Sequence, residues 1–129
     1  MKNLVLASIL GCLSVLLGAF GAHALKDLLS AEALESYETG VRYMMMHSLV
    51  ILFLNIVPGL KKRTVNVLSL IFLTGILLFS GSIFAISTGL IEARSIWFIT
   101  PLGGLLLVIG WMGMAVVFFR KANEEKAGK

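Results

Sequence analysis

Few side chains in this 129-residue chain could do chemistry, and those few stand inside apolar sequence. They are His23, Arg42 and His47, with Tyr43 and Asn55 as polar companions. Two imidazoles on separate helices could serve as axial ligands of a haem or as two ligands of a metal ion. His47, with Tyr43 four residues before it on the same helical face, could instead hold a proton or a quinone. A zinc site lacks a third Cys, Asp or Glu ligand nearby. A haem would need the two histidines at matched depth, and straight helices set them more than one turn apart. In a plainer reading the histidines bond backbone carbonyls or the hydroxyls of Ser80, Ser82, Thr88 and Thr100 on neighbouring helices. The residues alone leave all three readings open.

No catalytic residue is assigned. The chain has no GxSxG, HExxH, Walker-type or CxxC pattern. Its single cysteine, Cys12, sits mid-way along the first apolar run and acts as a small apolar residue. No carboxylate lies inside an apolar run, which weakens a proton-coupled exporter reading. Met44-Met45-Met46 serves as packing or lipid-facing filler.

The elements that must position these groups follow from four apolar runs, at roughly 4–24, 41–57, 65–87 and 96–119. Hydrophobic residues are 58% of the chain and charged residues 14%, against about 45–50% and 25% in soluble domains. The first run of ~21 residues rises ~31 Å as an α-helix, the thickness of the hydrocarbon layer. The expected fold is all-α: an integral membrane four-helix bundle forming one domain over 1–129, with a basic tail at 120–129. Lys2, the apolar stretch and Ala22-His23-Ala24 resemble a signal peptide, but ~20 apolar residues exceed a signal core, so a retained helix is expected.

Between spans one and two, Ser30 reads as an N-cap with Glu32 in the first turn. A short interfacial helix is expected there, over roughly Ala31–Gly40, turning into span two or running straight on. Glu38 and Arg42 are four apart in the favourable order for an ion pair. Pro58-Gly59 ends span two, 88–95 forms an outer loop, and Trp97 and Phe98 suit an aromatic belt. Thr100-Pro101 reads as the cap and first residue of span four. Trp111 lies deeper, where its indole N–H needs a partner. His47 falls ~9 Å past Val41, so both histidines are expected in the outer half. The resulting outer polar cluster is His23, Glu38, Arg42, Tyr43, His47, Ser80, Ser82 and Thr100.

The formal charge is +4. With four spans, Lys2, Lys61–Arg63 and the tail share one side, which carries eight of the eleven basic residues. The positive-inside rule then places both termini in the cytoplasm. The tail mixes Glu124 and Glu125 with its lysines and has no aromatic residue, so nucleic acid is not expected as a partner. Lys61–Arg63 and Arg120–Lys121 suit a weak attraction to anionic lipid headgroups.

Small residues mark helix packing, since lipid supplies no hydrophobic drive and contact energy must come from close approach. Thirteen glycines suggest a tight bundle. Gly11, Gly18 and Gly21 in span one, Gly81 in span three, and Gly103 and Gly110 in span four are the expected contact points.

Four segments carry a family resemblance. Gly18-Ala-Phe-Gly-Ala-His-Ala-Leu25 resembles the first-helix signature of the YgdD/YwdK-type small membrane proteins, a family of unknown function with animal relatives. Gly40-Val-Arg-Tyr-Met-Met-Met-His-Ser-Leu49 is similar to its Tyr-x-x-x-His-x-Leu segment. Phe79-Ser-Gly-Ser-Ile-Phe84 is similar to its third-helix motif, and Ile99-Thr-Pro-Leu-Gly-Gly104 with Gly110-Trp111 to its fourth. Ala24 departs from the glycine common there. The resemblance implies four helices and a membrane location and supplies no reaction.

The expected function is a non-enzymatic structural, accessory or lipid- or small-ligand-binding bundle in the cell membrane, with no cofactor or metal. A second copy or another membrane protein is its expected partner, besides the bilayer. The alternatives are a haem- or quinone-linked redox protein using His23 and His47, and a small transporter or channel component.

Overall fold

The computed structural model describes residues 1–127. Helix α1 spans Lys2–Phe20 and passes into a π-helical turn, Gly21–Leu25. Helix α2 spans Ala31–Ile56, α3 Lys62–Ser87, the short α4 Ala93–Ile96, and α5 Ile99–Ala127. Four of these stretches, α1 with its π turn, α2, α3 and α5, are long and apolar enough to cross a membrane. The chain is an all-α integral membrane bundle.

Each long helix packs on the next, α1 on α2, α2 on α3 and α3 on α5. The most apolar 18-residue windows of α2 and α3 are each 39% buried, against 22% for α1 and α5, so α2 and α3 form the middle of the bundle. The core is built from Ala7 and Leu10 of α1, Met44, Ile51 and Leu54 of α2, Leu68, Phe72 and Ile76 of α3, and Leu107 and Met114 of α5. The outward faces of α1 and α5 carry Val15, Leu16, Phe20, Leu105, Met112 and Phe119, all exposed. Exposed leucine and phenylalanine are stable there only because the surrounding solvent is hydrocarbon.

Ser30 caps α2, accepting the Ala33 N–H at 3.2 Å, with Glu32 in the first turn. From that cap the helix runs unbroken to Ile56. No separate interfacial helix forms over 31–40. Nothing in that stretch can break a helix except Gly40, and Gly40 packs against Phe84: a Cβ there would meet the Phe84 ring at 2.7 Å. Tertiary contact therefore keeps the segment upright rather than letting it lie along the membrane surface. A short surface helix does occur, but as α4, within the stretch expected to be a loop.

The ends of the turn between α2 and α3 follow local chemistry. Val57 is extended, as a residue before proline should be, and Gly59 takes φ +79°. Helix α5 opens at Ile99, so Thr100 and Pro101 both lie within its first turn.

Candidate functional site

The polar groups of the interior do not gather in one outer cluster. They fall in three layers. The one nearest the α2–α3 turn joins α1, α2 and α3. Asn3 Nδ2 donates to Asn55 Oδ1 (3.3 Å) and, at the exposed edge of the layer, to Asn66 Oδ1 (2.8 Å). Asn55 Nδ2 donates to the Ile51 carbonyl (2.8 Å) and to Ser69 Oγ (3.0 Å).

The middle layer is His47, only 1% exposed. The Trp111 indole N–H donates to His47 Nε2 at 3.2 Å. His47 Nδ1 lies 2.8 Å from the Tyr43 carbonyl. An indole can only donate and a carbonyl can only accept, so the ring is neutral with its proton on Nδ1. Phe72 packs beside both rings, 5.8 Å from the imidazole and edge-on to the indole at 6.1 Å. Tyr43 is partly exposed and stacks on Phe79 at 4.6 Å and on His47 at 5.6 Å.

The outer layer holds two links. Tyr37, 2% exposed, donates its hydroxyl to the Leu17 carbonyl at 3.1 Å, one residue before Gly18 and just ahead of the π turn. Gly21 makes room for that ring, since a Cβ there would lie 2.8 Å from Tyr37 Cε1. Ser82 Oγ and Thr100 Oγ1 are 2.6 Å apart and tie α3 to α5.

Several expected positions differ from this arrangement. His23 sits in the π turn and is exposed, with Gly21 and Leu25 turned inward on either side. His47 lies 16 residues into α2, about 24 Å along the helix from its outer end, at mid-bundle rather than in the outer half. The two histidines therefore share no site. Arg42 Nη2 donates to Thr39 Oγ1 at 3.1 Å, and Glu38 and Arg42 form no ion pair; among the described residues the one ion pair is Lys121–Glu125. Thr100 reaches across to Ser82 instead of capping its own helix. Ser80 is fully buried and its Oγ has no partner among the described residues, so it does not serve either histidine.

The glycines divide as well. Gly103 lies directly against the Leu78–Phe79 backbone, with Phe79 Cα 2.8 Å from where a Cβ would stand. Gly110 faces the Phe72 ring at 2.7 Å, Gly18 faces Val41 at 3.4 Å and Gly11 faces Ser48 at 3.5 Å. Gly81 is exposed with nothing within 4 Å of a Cβ, so it takes no part in packing within this chain. Gly40, Gly75 and Gly113 are close-contact positions as well. Tyr37, Asn3, Asn66 and Ser69 were missed as members of polar links, and the partner that the Trp111 indole needs is His47. The signal for Trp111 was its donor-only indole deep in an apolar run, a group that must find an acceptor.

Among the described residues no group of three His, Cys, Asp or Glu side chains could hold a metal ion. His47 could bind a haem or metal through Nε2 only by giving up the Trp111 hydrogen bond.

The same chain also matches known sequences. The family described as "Protein of unknown function (DUF423)" matches residues 17–104, which hold the Leu17 carbonyl, Tyr37, His47, Ser82 and Thr100. The chain belongs to the DUF423 family. A UPF0382 membrane protein of Haemophilus influenzae is similar to this DUF423 chain, 39% identical over 124 residues covering 95% of the chain and 97% of the relative. A UPF0382 membrane protein of Staphylococcus saprophyticus is 37% identical over 116 residues, covering 87% and 95%. The UPF0382 inner membrane protein YgdD of Escherichia coli K12 is 36% identical over 115 residues, covering 88% and 86%. No solved structure matches the DUF423 chain.

Proposed function

We propose that this DUF423 protein is a non-catalytic accessory bundle of the cytoplasmic membrane, with both termini in the cytoplasm. The observation that carries this reading is the state of His47. It is the one imidazole in the bundle interior, and both of its ring nitrogens are engaged by this chain. A group so fully satisfied holds helices in register; it does not present a lone pair to a substrate. The other interior polar links, Asn3–Asn55, Asn55–Ser69, Tyr37–Leu17 and Ser82–Thr100, likewise run from helix to helix. On this reading the protein acts through its outward surfaces, on lipid, on a second copy or on another membrane protein. Nucleic acid is no partner. The basic bias of the Lys2, Lys61–Arg63 and tail side supports the orientation, and the inner-membrane label of the Escherichia coli relative supports the location.

The test is native mass spectrometry in mild detergent together with a visible absorption spectrum. A chain, or an assembly of chains, with no absorbing cofactor is expected, unchanged by His23→Ala. A bound haem or quinone lost in His47→Ala would replace this reading with a redox one.

A further inference from the structure

The side of the bundle bearing Lys2 and the tail carries a pocket that none of the interior links uses. It opens between the Gly59–Lys61 turn and α5, has a volume of about 200 Å³, and is lined by Lys61, Thr64, Arg120, Lys121 and Glu124 among others. Three cations and a hydroxyl thus face one carboxylate. Lys121 is held in place: its Nζ donates to the Pro58 carbonyl at 2.6 Å, and its chain lies over Gly59, which has no Cβ to obstruct it. An ammonium fixed in this way, with the Glu125 carboxylate 3.9 Å off on the same helix, keeps a further N–H for another acceptor.

A second hollow begins where this pocket ends. It runs between α3 and α5, has a volume of about 410 Å³, and is lined by Arg63, Thr64, Val67, Gly113, Val116 and Val117, with Leu68 at its floor. Thr64 and Val117 border both spaces. The polar pocket therefore sits at the helix ends, and the apolar groove leads from it toward the middle of the membrane. Gly113 deepens the groove on the α5 side. One molecule that matches both parts has an anionic head and a hydrocarbon chain.

We infer that Lys61, Thr64, Arg120 and Lys121 bind the phosphate of an anionic glycerophospholipid whose acyl chain lies in the Val67–Val116 groove. This goes beyond the accessory role proposed above and does not depend on it. Basic pockets between transmembrane helices hold anionic headgroups in this manner, and the attraction of each cation favours an anionic over a neutral lipid by roughly five-fold. The groove adds the apolar contact that a free phosphate could not use.

The test is native mass spectrometry of the full chain with phosphatidylglycerol or phosphatidylcholine of identical acyl chains added. Retention of phosphatidylglycerol is expected well above phosphatidylcholine. Lys61→Gln with Arg120→Gln, both at exposed positions, should lower that preference on the order of 30-fold. Val67→Trp, which fills the groove from an exposed position, should lower retention of phosphatidylglycerol while the chain keeps its melting temperature. Inorganic phosphate should neither bind detectably nor displace the lipid. Equal retention of the two lipids, indifference to the charge variant, or phosphate binding with no effect of Val67→Trp would each overturn the proposal.

Discussion

The Trp111 indole and the His47 imidazole meet at 3.2 Å, 64 residues apart in sequence. Their bond joins α2 to α5 across a bundle in which α5 packs chiefly on α3. With Ser82–Thr100 near the start of α5, it holds that helix at two heights.

Replacing that link tests its weight. Trp111→Phe keeps most of the ring and leaves His47 Nε2 without a donor. A double-mutant cycle with His47→Phe, read by thermal unfolding in detergent, should give a coupling of about 0.6 kcal/mol and not above about 1.7. A coupling near zero would mean that the two rings are merely neighbours.

The glycines predict opposite outcomes for one kind of substitution. Gly103→Ala places a methyl group against the Phe79 backbone, which cannot rotate away, and should destabilise by about 1–3 kcal/mol. Gly81→Ala meets open space and should leave stability unchanged or raise it by up to about 1 kcal/mol. Melting temperatures of the two variants, side by side, decide this. A loss in Gly81→Ala that depends on protein concentration would place a second chain at that surface.

Tyr37 and Gly21 separate a hydrogen bond from a shape. Tyr37→Phe removes only the donor to the Leu17 carbonyl, which still accepts the Gly21 N–H, and should cost about 0.5 kcal/mol. Gly21→Ala forces the whole ring aside and should cost more, about 1–3 kcal/mol. The reverse order in a thermal melt would show that the hydroxyl, and not the fit of the ring, anchors α1.

Ser80 offers a gain. Its hydroxyl is buried with no partner among the described residues, and an unmet buried group costs about 1–3 kcal/mol. Ser80→Ala should therefore raise the melting temperature. A fall would reveal that Ser80 bonds a lipid or water inside the bundle.

The four helices were legible because each apolar run matches the membrane's thickness, and Ser30 and Pro58-Gly59 punctuate them by their own backbone chemistry. The layers were not. Periodicity assigns a residue to a face of its own helix, but the meeting of His47 with Trp111 depends on the relative height and rotation of two helices. Asn55 shows the same gap. It shares a broad face with His47, yet lies two turns deeper and pairs with Asn3 and Ser69. His23 failed for a local reason: the π turn adds a residue to the helix and swings the imidazole outward.

The unbroken α2 has a further consequence for the bilayer. Its 26 residues make a rod about 39 Å tall, against about 30 Å of hydrocarbon. Its first twelve residues carry Glu32, Glu35, Glu38 and Arg42, which belong in water. On the flanks, α1 and α5 offer leucine and valine along most of their outward faces. Lipid therefore climbs to different heights around the girdle of the protein. A bundle with such an uneven waterline sits tilted or thins the membrane on its α2 side, and bilayer thickness becomes a variable to which its posture responds.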